Sequence, residues 1–128
     1  MARVSRNINY AEGLSIATRR LGELLFSLRR DDDAMTYLEE NAQLSAQLRD
    51  QESEAASWSH LAQIHERNER PDESVAAWQR VRRLREATRD FGGEVEAQEG
   101  IARATRMHDS LEAIVQYETA LTLSLIHI

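Results

Sequence analysis

Apolar residues recur along this chain at spacings of three and four, the period of a helix with one buried face. The spacing predicts a first helix over residues 10–29, with Leu14, Leu21, Leu25 and Leu28 on its buried side. A second covers 33–49 with Ala34, Leu38, Leu44 and Leu48, and a third covers 52–68 with Trp58, Leu61 and Ile64. A fourth spans 72–90 with Val75, Trp78, Val81 and Leu84. The last two run over 94–107 and 110–124, parted by a short loop at 107–109. The breaks have chemical grounds. Pro71 suits a first helical position and is followed by acids. Asp31, Asp32 and Asp33 offer an N-cap and an opening turn for the second helix, and Gly92-Gly93 punctuates the junction before the fifth.

The six helices group into three copies of one hairpin, offset by about 40 residues. Residues 18–41 align without a gap on 58–81, so that Leu21 falls on Leu61, Gly22 on Ala62, Ala34 on Ser74 and Leu38 on Trp78. In the third copy Ile101 and Ala102 keep this offset, while Ala113, Tyr117 and Ala120 arrive one residue early. The small residues permit two helices to approach to about 8–10 Å. Leu38, Trp78 and Tyr117 are then expected to fill the space between hairpins. No single hairpin can bury them, so neighbours must stack, which is the logic of a solenoid.

At these residues the chain resembles the tetratricopeptide repeat (TPR) family. The middle copy reads Trp58, Leu61, Ala62, His65, Ser74, Trp78, Val81; the first reads Thr18, Leu21-Gly22, Leu25, Ala34, Leu38, Asn41. The third reads Gln98, Ile101, Ala102, Thr105, Ala113, Tyr117, Ala120. Asn41 departs from the pattern at a site that is normally small. The resemblance implies an all-α solenoid of three antiparallel hairpins wound as a right-handed superhelix. Its parts are an extension over 1–9, repeats over 10–50, 51–91 and 92–124, and an apolar tail over 125–128 that reads as non-native. The period is longer than the family's about 34 residues. In this it is similar to the long-helix subgroup of motor light chains, ciliary repeat proteins, receptor-clustering scaffolds and DNA-repair scaffolds.

The family binds peptides or partner helices in a concave groove lined by the first helix of each hairpin. Carried over by register, the groove positions form ladders of Arg19, Ser59 and Glu99, then Glu23, Gln63 and Arg103, then Phe26, Glu66 and Arg106. A last ladder holds Ser27, Arg67 and Met107. Arg67, Arg103 and Arg106 gather toward the third repeat, where they are expected to clamp carboxylates of an acidic segment. The Lys/Asn clamp that holds chaperone tails is missing from these positions, so such a tail is not the expected ligand.

Composition narrows the chemistry. The chain has 128 residues, no cysteine and a formal net charge of −6. Disulfides, thiolate zinc sites and cysteine nucleophiles are therefore excluded, and the acidic balance argues against a dedicated nucleic-acid binder. All 16 basic residues are arginine, which removes lysine chemistry and leaves planar, multi-donor pairing with carboxylates. The one basic cluster is on the fourth helix, where Arg82, Arg85 and Arg89 share a face, diluted by Glu86 and Asp90. His60 and His65 lie five apart and miss the four-residue spacing of a helical metal pair. His65 takes a packing position of the repeat; His108 flanks the last helix, and His127 lies in the tail. Trp58 and Trp78 read as core, and the aspartate run as a helix start rather than a cation site.

The expectation is a non-enzymatic scaffold or adaptor, cytoplasmic or nuclear, that recognises a protein or peptide and uses no metal or cofactor. Two alternatives accompany it. The hairpins are an interior piece of a longer TPR array, as in cytoskeletal, motor or ciliary adaptors, with their ends buried against further repeats. Or the chain is a nuclear repair-type scaffold that uses the arginines of the fourth helix. No run of residues is long and apolar enough for a membrane span or a signal peptide.

Overall fold

A computed structural model describes residues 2–126, with side chains from residue 7 onward. His127 falls outside the described residues. Five helices follow one another, with no strand among the described residues: α1 (Ala2–Ser27), α2 (Asp31–Gln47), α3 (Gln51–Arg67), α4 (Pro71–Ala87) and α5 (Phe91–Ile126). Each helix packs on its neighbour in sequence, and α1 meets α3, and α3 meets α5, across one intervening helix. This is an all-α array of stacked helices, with α1, α3 and α5 along one side and α2 and α4 along the other.

Two helices differ from the expected spans. α1 starts at Ala2 rather than near residue 10. The loop expected at 107–109 is not formed: α5 is a single helix of 36 residues. Neither glycine nor proline interrupts residues 101–126.

The four junctions that do form share one geometry. Arg29, Arg49, Glu69 and Arg89, evenly spaced along the chain, hold left-handed backbone with φ of 56–58°. Behind each of them the next amide reaches back across six residues. Arg30 N donates to Leu25 O at 2.9 Å, Asp50 N to Ser45 O at 2.9 Å, Arg70 N to His65 O at 2.8 Å and Asp90 N to Arg85 O at 2.8 Å. These are Schellman turns, made without the usual glycine. Asp50 and Asp90 cap the following helices by accepting from Ser53 N and Gly93 N at 3.2 and 2.9 Å. Gly92-Gly93 thus sits in the first turn of α5 rather than in the junction itself. The aspartate run behaves differently from expectation as well. The N-cap of α2 is Arg30, which makes no side-chain cap, while Asp31, Asp32 and Asp33 form the first turn.

Two apolar clusters fill the interior. One joins Leu25, Ala34, Leu38, Leu61 and Ile64, and the other Ala62, Ala77, Trp78, Val81 and Ala97. Burial of each large side chain contributes about 1.5–3 kcal/mol. The expected small-residue crossing is present in the first hairpin, where a Cβ on Gly22 would stand 2.8 Å from the Leu38 side chain. Ser74 Oγ donates to Ala62 O at 2.9 Å and closes the equivalent crossing of the second. Leu38 and Trp78 are buried as expected, but Tyr117 is 78% exposed because nothing packs on the second half of α5. Leu21 and Leu28 also face outward; Leu25 is buried as expected, and Ser15 and Thr18 share the inner face of α1 with it.

Asn41 explains this arrangement. It is fully buried among α1, α2 and α3 and is saturated with partners. Its Nδ2 donates to Ser15 O at 2.6 Å, Ser15 Oγ at 3.2 Å and Thr18 Oγ1 at 3.3 Å. Its Oδ1 accepts from Ser57 Oγ at 2.6 Å, Ser45 Oγ at 3.3 Å and Ser53 Oγ at 3.4 Å. A polar knot therefore replaces apolar packing at one level of the stack, and every hydroxyl in it is paired, as burial demands.

Candidate functional site

Two depressions open beside α1 and α3. The first, of about 500 Å³, opens between residues 12–23 of α1 and residues 48–53 at the α2–α3 junction, with Glu12, Ile16, Arg19, Arg20 and Glu23 on its wall. Ser15 and Ser53 of the polar knot also line it. Arg19 Nε donates to Glu23 Oε1 at 3.0 Å along α1, so these two predicted groove residues neutralise each other.

The second depression, of about 440 Å³, lies at the late ends of α1 and α3 against α5. It gathers Phe26, Gln63, Glu66, Arg67, Arg103 and Met107, all drawn from the predicted ladders, together with Arg29. The equal helix lengths bring these ladders into register: α2, α3 and α4 have 17 residues each and the turns between them are alike.

The arginines expected to clamp a ligand are largely engaged within the protein. Arg67 Nε donates to Asp31 Oδ2 at 3.0 Å, and Nη2 donates both to Asp31 Oδ1 and to Phe26 O, the latter at 3.1 Å. Its guanidinium stacks 4.3 Å above the Phe26 ring. Asn68 Nδ2 donates to the same Asp31 carboxylate at 2.8 Å. The hydrogen bond from Arg67 holds the Asp31 carboxyl below its usual range; the Asn68 bond and the charges of Arg67 and Arg29 add to the effect, against the opposing push of burial. Arg103 Nε donates to Glu66 Oε1 at 2.8 Å and so links α3 to α5; this bond raises the Arg103 pKa further. Arg106 forms no ion pair among the described residues. Ser59 accepts from Gln63 Nε2 at 3.4 Å, and Glu99 stands exposed on α5.

Sequence reasoning missed Arg29, whose left-handed turn places it at the rim of the second depression. It also missed a cavity of about 390 Å³ among α2, α3 and α4. There Arg80 lies 4.7 Å over the Trp58 ring, and Trp58 Nε1 donates to Glu54 Oε2 at 3.2 Å. His65 lines this cavity half-buried, and burial, with the Arg70 charge, pushes its pKa down. Trp58 is thus a partly buried wall, while Trp78 is core. His60 packs edge-on against Phe26, with ring centroids 4.7 Å apart, and its Nδ1 lies 2.8 Å from Ala56 O.

On the opposite side, Arg82 Nη1 donates to Gln98 Oε1 at 3.3 Å and Arg85 Nη1 to Asp90 Oδ2 at 3.3 Å. Both side chains therefore turn toward α5, and Arg89 alone of the three is fully exposed. His108 lies 3.3 Å from Asp72 and 3.6 Å from Glu112, which ties α5 to the start of α4.

No helix among the described residues is long and apolar enough to cross a membrane. No protein-family model and no curated protein sequence matches the chain. Among solved structures, the chain is similar to the TPR domain of Arabidopsis FLU, with a TM-score of 0.58 and 14% sequence identity. The match covers 84% of this chain and 98% of that domain. At this identity the likeness establishes a TPR-like fold.

Proposed function

We propose that the chain is a protein-binding scaffold that takes an extended segment of a partner along the α1–α3–α5 side. The supporting observation is the gathering of six ladder residues in one depression at the late ends of α1 and α3 against α5. A peptide laid there meets an apolar step made by Phe26 and Met107, flanked by charge, the mixture by which a groove fixes register as well as affinity.

The charge balance refines the expected ligand. Asp31 and Glu66 already satisfy Arg67 and Arg103, so these two arginines shape the wall, and Arg29 and Arg106 are the cations that a partner's carboxylates would reach. The partner is accordingly an acidic segment held at two points rather than in a three-arginine clamp. The reading contains no catalytic step. The arginines of α4 make a weaker surface, since Arg82 and Arg85 are directed at α5.

Selection of a displayed random-peptide library on the chain tests the proposal, with counter-selection on an Arg29→Glu, Arg106→Glu variant of equal helicity. Enrichment of sequences rich in Asp and Glu that the variant no longer retains is the expected result. Equal retention by both proteins, or no enrichment on the unaltered chain, rejects the groove as the binding surface.

A further inference from the structure

The second half of α5 carries the residue pattern of a helix that belongs inside a stack, yet it stands alone. From Ile114 onward every described residue is exposed. Ala113, Tyr117 and Ala120 repeat the spacing of Ala34, Leu38 and Asn41 in α2 and of Ser74, Trp78 and Val81 in α4, all of which are buried. Ile114 and Leu121 flank them on the same face at helical spacing.

The first half of α5 carries the complementary vacancy. Its residues repeat those of α3, with Val95 at the place of Ala55 and Ala102 at the place of Ala62. Ala55 and Ala62 are buried, and Ala62 is covered by α4 through Ser74. Val95 is 58% exposed and Ala102 is exposed. Ala97 and Ala104, which face α4 instead, are fully buried. The uncovered residues are those on which the next helix of a stack would lie.

Both halves of this contact are in one chain, but they cannot meet within it while α5 is continuous. The pairing in the second hairpin sets Ser74 against Ala62, and its counterpart sets Ala113 against Ala102. In an antiparallel helix pair with this register, the midpoint falls between Met107 and His108. A two-fold axis through that point lays residues 110–124 of each copy on residues 91–105 of the other, and both contacts form at once. The interface is closed and self-complementary, the form that cyclic dimers take.

We propose that the second half of α5 is a dimerisation arm, and that its occupant is the first half of α5 in a second copy of this chain. Tyr117 then covers the exposed face around Ala102, as Trp78 and Leu38 are covered in the rest of the array. Arg106 lies one helical turn from Ala102 on the same face, so the exchange also covers a cation assigned to the groove, and the tests below read the exchange by itself.

Sedimentation equilibrium of the unaltered chain is the first test, and twice the chain mass is expected. A single-chain mass at every concentration overturns the proposal, and so does a mass that keeps growing beyond two chains. The second test exploits the lack of native cysteine. An Ala102→Cys, Ala113→Cys variant of unchanged helicity should oxidise to a covalent dimer linked between residue 102 of one chain and residue 113 of the other. A disulfide closed within one chain means that α5 folds back as a hairpin, and overturns the exchange. Absence of any disulfide overturns it equally. Tyr117→Glu should halve the sedimenting mass while leaving the circular dichroism signal of the stack in place.

Discussion

The indole of Trp78 occupies the space that a side chain at residue 100 would need: a Cβ built on Gly100 would overlap the ring. The glycine lies in mid-helix and is fully embedded, so α5 comes close enough to α4 for the largest buried side chain of the protein to lie on its backbone.

Gly100→Ala therefore runs against the usual helix rule. In an open helix the change gains about 1 kcal/mol, but here the overlap should cost about 1–3 kcal/mol net. Gly13, with nothing within 4 Å of its Cβ position, is the matched control and should gain stability on the same change. Urea unfolding of the two variants reads opposite signs; the same sign for both would contradict the packing described.

Removal of the Asn41 side chain should be among the most damaging single changes. Asn41→Ala removes the amide acceptor shared by the Ser45, Ser53 and Ser57 hydroxyls and one of the donors to Ser15 O, all of them buried. A loss of about 2–4 kcal/mol is expected from the unpaired groups. Asn41→Leu should recover part of the volume but not the pairing, and chemical denaturation of both variants separates the two contributions.

Much of this architecture was legible in the sequence, and the failures have physical causes. The period, the first two hairpins and the burial of Leu38 and Trp78 follow from helical spacing, whereas the third hairpin is a single continuous helix and leaves Tyr117 exposed. The outward turn of Leu21 and Leu28 does not follow from it, because helical period alone cannot say which of two faces meets the stack. Asn41 settled that choice by drawing Ser15 and Thr18 inward. Four of the five expected turns form, and at these arginine and glutamate hold left-handed positions where glycine is the usual sign. Six of the ladder residues, Phe26, Gln63, Glu66, Arg67, Arg103 and Met107, line one depression. Their internal pairing, Arg67 to Asp31 and Arg103 to Glu66, depends on distances that no spacing rule contains.

Acidification should destabilise the fold in two separate windows. The folded-state pKa of His65 lies below its ordinary 6.5, because burial and the neighbouring Arg70 disfavour the charged ring, with Glu73 and Glu39 opposing. The unfolded chain then binds the extra proton more readily, so stability is full above 6.5 and falls as pH drops below it. His65→Gln should flatten this first decline in melting temperature, and an unchanged profile would show that His65 is not its source.

The second window belongs to Asp31, whose carboxyl titrates below its ordinary 3.8. Its stabilising effect is complete above that value and is lost as pH falls through the lower folded one. Asp31→Asn should remove this late loss and lower stability at neutral pH by about 1.5–3 kcal/mol, the range for hydrogen bonds to charged groups. A double-mutant cycle with Arg67→Ala measures the shared part; an additive result would mean that the pair contributes nothing as a unit.

The four junctions also have a mechanical meaning. Arg29, Arg49, Glu69 and Arg89 divide the chain at equal intervals, and every helix leans mainly on the one before it and the one after. Pulled from its two ends, such a chain has no distant strap to break first. Its three inner helices would pay out in equal lengths of slack, one at a time, and draw them in again as the load is relaxed.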